Sequence, residues 1–438
     1  MSDGQQSPPA PAQRPEVAMH SRGYLGLLLF AGLIGVPLSL AAFGFLVAVH
    51  ELEHQLWHSL PESLGYDELP AWWALCTLLV AGLVVGLTVR HLPGGGGHIP
   101  AMGLDAGPTA PKAVPGVVLA AGVSLVLGAV IGPEAPLIAI GGGLALLAVR
   151  GVKAMDVPEI RTVVAAAGSA AAISAIFGNP IIAAIIFLEV MGLGRRQTML
   201  VVIPCLVSSG VGGLIFTGLG NWSGLEIGAL TIPDLPESHL EVTDVLWSMP
   251  IAVVVAVGTW AVFVLGRRTA AWADAWTLRV TLGAALVAGA SAAVYSLVTD
   301  HSPEEVALSG QATLGPLATD PGAWSTGALV MLVLCKGLAY GVCLGVFRGG
   351  AVFPAIFLGA AVGVLADAVL PGTGLVSSLA VGMAAGVAII GLPVTGAVLV
   401  VLLMGDAAAS QMPVILLAVV AATIVQGKVA TGSEPEAA

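Results

Sequence analysis

The chain has 438 residues, 57% of them hydrophobic and 9% charged, with a mean hydropathy of +0.98 and a formal net charge of −11. This balance excludes an ordinary soluble protein and points to an all-α polytopic membrane protein in a lipid bilayer; neither a cofactor nor a nucleic-acid partner is expected. The net charge carries little information, because the acids cluster in the segments between apolar runs.

Residues 1–23, rich in Pro, Gln and Ser, read as a disordered tail. Tyr24 to His50 is the first predicted span, too long for a signal-peptide core and without a cleavage site. Arg14 and Arg22 precede it, whereas Glu51, Glu53, Glu62, Asp67 and Glu68 follow it, and Ala71 to Val89 returns to Arg90. Basic ends face the cytoplasm as a rule, so the N-terminus is expected there and the plasma membrane is the expected location. His91 to Lys112 is a Gly- and Pro-rich interruption without the GK[ST] of a nucleotide loop.

Val114 to Ile131 and Ala135 to Val149 flank a break at Gly132-Pro133-Glu134-Ala135-Pro136. Some of these runs are shorter than the ~20 residues a span needs, which predicts half-helices meeting inside the membrane. Arg161 to Phe177 breaks at Gly178-Asn179-Pro180; Ile181 to Met191 and Met199 to Leu219 complete a first repeat over 24–219. Arg195 and Arg196 mark a cytoplasmic turn, and 220–245, acidic without Lys or Arg, an external linker. The second repeat, 246–426, reads as Leu246 to Leu265, Val280 to Val298, Gly327 to Val346, a break at Gly349 to Pro354, then Val362 to Leu370, Leu375 to Ile390, Val394 to Met404 and Pro413 to Val425. A polar tail occupies 427–438. Cys76, Cys205, Cys335 and Cys343 lie in apolar runs without CxxC spacing and read as small packing residues.

The carboxylate at Glu134 is the main candidate. A lone Glu at membrane depth marks an ion or proton path. Proline on either side places it at the N-terminus of a new helix, where unpaired amides favour an anion. Glu134 then either fills that site or swings out for a permeant anion, which makes it a gate; the alternative is a structural N-cap.

An internal repeat supports this frame. Ala175-Ile-Phe-Gly178-Asn-Pro180, running to Met191, matches Ala388-Ile-Ile-Gly391-Leu-Pro393, running to Met404, without a gap. Gly132, Pro136, Gly141, Leu147 and Ala148 pair with Gly350, Pro354, Gly359, Leu365 and Ala366. Two repeats with broken helices are a transporter or channel signature.

These residues together resemble the CLC family of chloride channels and proton–chloride antiporters. The GxEGP motif of that family stands here as Gly132 to Pro136, its GxFxP motif as Gly350-Ala351-Val352-Phe353-Pro354 with the Phe shifted, and its GSGIP motif weakly as Gly96-Gly97-His98-Ile99-Pro100. Phe177-Gly-Asn-Pro180…Leu188-Glu189-Val190 and Leu392-Pro393-Val-Thr395-Gly396…Leu403-Met404 are similar to two further stretches. The resemblance runs from about Arg90 to about Val425 and implies two inverted repeats with broken half-helices, and a homodimer with one pore per subunit. The implied dimer surface is Ile181–Met191, Met199–Leu219, Val394–Met404 and Pro413–Val425. The implied anion-binding positions are Gly97, His98, Ala135, Ala351 and Val352, with Glu134 as gate and chloride as the permeant ion.

Four departures shape the functional expectation. Gly97 stands where the family has an anion-coordinating Ser, and Pro133 replaces a basic or polar residue. Val190 holds the position of the inner proton-transfer Glu, leaving the neighbouring Glu189 as the candidate for a proton path. The last Tyr is Tyr340, so the pore Tyr of the family's final helix has no counterpart, and the apolar runs end before that helix. Passive, Glu134-gated chloride conduction of the voltage-gated type is therefore expected over proton-coupled exchange of chloride or fluoride. Lys336 and Arg348 supply field for an anion or pair with Asp367 or Asp406. A reading from another class is a membrane zinc protease built on His50-Glu51-Leu52-Glu53-His54, set against a solvated helix end.

Overall fold

The computed structural model describes residues 22–152, 157–191, 195–223, 231–236 and 238–431. The expected tails (apart from residues 22–23 and 427–431) and part of the expected linker lie outside these. Most of the described residues are helical. In order come α1 (Arg22–His54), α2 (Trp73–His91), α3 (Val114–Val126), α4 (Glu134–Ala148), α5 (Pro158–Phe177), α6 (Pro180–Val190) and α7 (Arg195–Ser223). They are followed by α8 (Val242–Thr299), α9 (Gln311–Thr319), α10 (Thr326–Val346), α11 (Val352–Val369), α12 (Leu375–Ala388), α13 (Pro393–Met404) and α14 (Ala408–Thr431). Eight helical stretches among the described residues are long and apolar enough to cross a membrane. With α3, α4, α6 and α12 too short to do so, the protein is an integral membrane protein of spans and half-helices.

The structure moves several expected boundaries. The first span does not stop at His50: α1 runs to His54 and continues through a π turn at Gln55–Ser59 to Ser63. The expected helix to Ile131 ends at Val126, because Gly128 takes a left-handed φ of 95° and Ile131 N turns back onto Ala129 O. The second-repeat helix expected from Val362 begins ten residues earlier, at Val352, and the last begins at Ala408 rather than Pro413. Pro354 sits in the first helical turn, where the missing N–H would have no intrahelical partner, so it starts α11 rather than interrupting it. Two expected spans, Leu246 to Leu265 and Val280 to Val298, lie within α8. Its 58 residues would extend roughly 87 Å if straight, nearly three times the hydrocarbon thickness of ~30 Å. Trp276, at φ −140° and ψ 51°, divides it into two spans.

The sequence repeat has a spatial counterpart. Gly132 and Gly350 form an antiparallel bridge: Gly132 N donates to Gly350 O at 2.7 Å, and Gly350 N donates to Gly132 O. An antiparallel exchange between equivalent residues has the symmetry of a local two-fold axis, so the repeats are inverted. Matching crossings flank it. A Cβ on Gly141 would collide with the Gly168 carbonyl where α4 crosses α5, and one on Gly359 with the Gly382 carbonyl where α11 crosses α12. Both half-helix breaks turn on left-handed glycines, Gly178 at φ 59° before Pro180 and Gly391 at φ 95° before Pro393. Such crossings let backbones approach where no hydrophobic gradient between lipid and protein would hold helices together. Every residue of α5 from Val164 to Phe177 is buried by this packing.

The crossing generates a prediction. Gly382→Leu would force α11 and α12 apart and lower stability by about 1–3 kcal/mol, the cost of overpacking. Gly258→Ala, where nothing lies within 4 Å of the added methyl, would not lower stability, since Ala is the better helix former. Melting temperature of the detergent-solubilised protein reads both; equal melting of Gly382→Leu and the unaltered protein would refute the assigned crossing.

Candidate functional site

The bridge at Gly132–Gly350 brings two helix N-termini together. Glu134 is the first residue of α4 and Val352 the first of α11, so equivalent positions of the two repeats face one another with their unpaired amides. The Glu134 side chain crosses the axis: Oε1 accepts from Phe353 N at 2.9 Å, and the amides of Val352 and of Glu134 itself also face the carboxylate. Glu134 is fully buried, and its Oε2 has no hydrogen-bond partner. That oxygen lies against Gly350, where any Cβ would overlap it, and against Gly132. The glycines therefore make room for the carboxylate as well as for the bridge.

Around this seat the walls are apolar or backbone. Phe177, at the end of α5, stacks on Phe353 with ring centroids 5.7 Å apart. Tyr340 of α10 is buried and its hydroxyl donates to Ala351 O at 2.6 Å, holding the turn that leads into α11. A cavity of about 380 Å³ adjoins the seat; its lining includes Ile131, Pro133, Ile176 and Phe353 together with His50, Glu53, Thr231 and Gln311. A further wall is formed by Leu308 and Phe357.

That wall is tied down by a buried cation. Lys336 Nζ donates to the carbonyls of Glu305 (2.8 Å), Val306 (3.4 Å), Ala307 (3.1 Å) and Leu308 (3.3 Å) and sits 4.5 Å from the centre of the Phe357 ring. Glu305 in turn accepts from Tyr295 Oη and from Trp324 Nε1 at 2.8 Å. The segment between α8 and α10 is therefore a fixed rim. Neither Lys336 nor Arg348 pairs with Asp367 or Asp406, which removes the pairing alternative; both instead satisfy backbone carbonyls, a geometry no residue spacing announces.

The other expected positions divide. Val352 lies at the carboxylate seat, with the unexpected Phe353 supplying the bonded amide. Ala351 offers its carbonyl to Tyr340, and Ala135 lies in the first turn of α4. Gly97 and His98 turn toward their own loop: Gly97 N donates to Gly94 O at 3.0 Å, and His98 Nε2 lies 2.6 Å from Gly103 O. Glu189 sits at the end of α6, away from this cluster, and receives the amides of Val394 (2.6 Å) and Thr395 (2.7 Å) at the start of α13. In the His50-to-His54 motif, Glu51 accepts from Gln55 at 2.7 Å and the His54 and His58 rings are 5.2 Å apart. Among the described residues no group of three His, Cys, Asp or Glu could hold a metal ion.

Comparison with known proteins agrees with this geometry. The family model described as voltage gated chloride channel matches residues 81–427. YfeO of Escherichia coli (strain SMS-3-5 / SECEC) is 28% identical over 360 residues, covering 79% of this chain and 81% of its own. Among solved structures, a slow cyanobacterial Cl−/H+ antiporter superposes with a TM-score of 0.73 at 17% identity, covering 93% of this chain and 95% of its own. A CLC-type fluoride/proton antiporter gives a TM-score of 0.63 at 16% identity, covering 92% and 96%. The inverted repeat, the paired half-helix ends and the matched span lead to one conclusion: the chain belongs to the voltage gated chloride channel family.

Proposed function

We propose that the protein conducts a small inorganic anion, chloride foremost, passively across the plasma membrane, with Glu134 as the gate. The observation that carries this reading is the position of the Glu134 carboxylate. It occupies the amides at the start of α11, a place suited to an anion, while one of its oxygens is buried without a partner. A buried, half-satisfied carboxylate is held weakly enough to be displaced by a competing anion or released by protonation. The adjoining cavity supplies the approach from the acid-rich side, which we take as external, with the N-terminus cytoplasmic.

A second reading, proton-coupled exchange of chloride or fluoride, draws support from the solved relatives described as antiporters. Two local features favour passive conduction instead. Val190 cannot carry a proton, and both oxygens of Glu189 are engaged as a cap on α13. We also propose a homodimer through α6, α7, α13 and α14, whose exposed Ile181, Leu214, Val394 and Leu416 form apolar faces.

Glu134→Gln removes the charge that competes for the seat. In proteoliposomes the variant should pass anion faster than the parent and lose its dependence on external pH, whereas parent flux should rise as external pH falls and Glu134 is neutralised. Unchanged flux and unchanged pH response in folded Glu134→Gln would remove Glu134 from the gate. Vesicles with an imposed chloride gradient and an internal pH dye should show no uphill proton movement; movement at a fixed ratio, abolished by Glu189→Gln, would establish the antiporter. Cysteine pairs across the α6 and α13 faces should crosslink two copies in lipid, and a strictly monomeric particle would refute the dimer.

A further inference from the structure

The face of the molecule opposite the acid-rich segments is built by the break within α8. Both ends of α8 lie beside acids, Glu241 and Asp244 at its start and Asp300, Glu304 and Glu305 past its end, so the break at Trp276 lies on the far side. The first leg, Val242 to Trp276, is about 52 Å long at 1.5 Å per residue. Even at a steep tilt of about 40° it covers ~40 Å along the membrane normal, against a hydrocarbon core of ~30 Å. Val245 to Leu265 is uncharged and long enough to fill that core, so the excess falls on Gly266 to Trp276, in the headgroup layer. The end of α2 joins this face. A Cβ on Gly82 would meet Ala285 and one on Gly86 would meet Leu278, so α2 runs antiparallel to the second leg and ends beside the break, at Arg90 and His91.

The two flanks of this stretch differ. Gly266, Thr269 and Ala270 are buried, and a Cβ on Gly345 would collide with Thr269 and Ala270, so one flank packs on α10. The other carries Arg268, Trp272 and Trp276 at successive i, i+4 steps, which places them along one face. Trp272 is 61% exposed and Trp276 60%, although an indole ring is costly to leave in water. Trp276 leaves the helical conformation, and the Arg279 guanidinium carbon stands 4.8 Å from the centre of its ring. This cation–π contact positions the guanidinium and leaves its N–H edges open. Among the described residues neither Arg268 nor Arg279 takes part in an ion pair or a side-chain hydrogen bond. Between Gly266 and Val280 the single acid Asp274 is set against Arg267, Arg268 and Arg279, so the exposed flank is positive in a chain whose net charge is −11.

We propose that Arg268, Trp272, Trp276 and Arg279 form a docking site for an anionic phospholipid in the leaflet on this face. The two guanidiniums take the lipid phosphate through charge-assisted N–H bonds, and the indole rings lie at the headgroup level against the upper part of the lipid. Charge selects the occupant. A choline lipid brings its own cation against the guanidiniums, and a second copy of this face would set arginine against arginine. An anionic headgroup meets neither penalty, and its attraction for surface arginines is strongest where they lie within a Debye length of the bilayer. The inner flank of α8 rests on Gly345 of α10, so a lipid on the outer flank holds α8 in that packing. The site stands whether the protein conducts an anion or exchanges it.

The test uses the full-length protein in mixed micelles holding equal amounts of phosphatidylglycerol and phosphatidylcholine, with the lipid retained on the protein read by native mass spectrometry. The unaltered protein should retain phosphatidylglycerol in preference. Each arginine at a membrane surface is worth about fivefold in attraction to anionic lipid, so combining Arg268→Gln with Arg279→Gln should lower the retained ratio of the two lipids by about fivefold or more. Arg267→Gln removes the same charge about 100° around the helix from Arg268 and should lower the ratio clearly less. Equal retention of both lipids by the unaltered protein, or an undiminished ratio in the double variant, overturns the site. An equal loss in Arg267→Gln also overturns it, because the attraction would then be diffuse. A double variant that changes the number of copies in the particle while keeping its phosphatidylglycerol makes the face a contact between chains and overturns the lipid. Should the double variant not fold, Arg268→Gln and Arg279→Gln decide singly by the same ratio.

Discussion

Two helix ends meeting inside a membrane carry positive potential into a medium that cannot screen it. The Gly132–Gly350 bridge forces this meeting, because it sets the starts of α4 and α11 against each other with their first amides unpaired. A negative group has to be present there, and the chain provides one carboxylate, Glu134, bonded across the axis to Phe353. The rest of the architecture serves that meeting. Glycine crossings at Gly141/Gly168 and Gly359/Gly382 bring the half-helices in, and Tyr340 holds the turn before α11.

The parts of this arrangement that were legible from sequence are those set by local backbone chemistry. Proline and glycine fix where a helix can start and stop, so the breaks at Gly132 to Pro136, Gly178 to Pro180 and Gly391 to Pro393 could be read and their correspondence recognised. The lone acid in an apolar stretch singled out Glu134 for the same reason: burial of a charge is expensive wherever it occurs. Boundaries were less legible where proline has two meanings. Pro354 and Pro413 lie within helices that begin before them: Pro354 stands in a first turn, where no hydrogen bond is lost, whereas Pro413 lies inside α14 past its first turn.

What sequence did not show depends on carbonyls brought from far along the chain. Lys336 is caged by residues 305–308, and Arg348 by Gly95 and its own preceding turn; opposite charge offered Asp367 and Asp406 only as one alternative. Backbone acceptors have no residue letter, so such partners are invisible until the fold places them. Glu189 is the same case in reverse, an acid whose partners are two amides of the other repeat. The identity of Phe353 as the bonded amide, next to the expected Val352, is a one-residue matter of helix phase.

The repeats are alike in backbone and unlike in charge, since the position equivalent to Glu134 is Val352. Each helix end contributes roughly half an elementary charge, so the facing pair sums to about one. One carboxylate neutralises that sum, and so does one halide. A divalent ion such as sulfate would leave an excess negative charge in a dry, narrow seat. The charge that this seat balances is thus set by a count of helix ends, and a single acid between the two repeats matches that count.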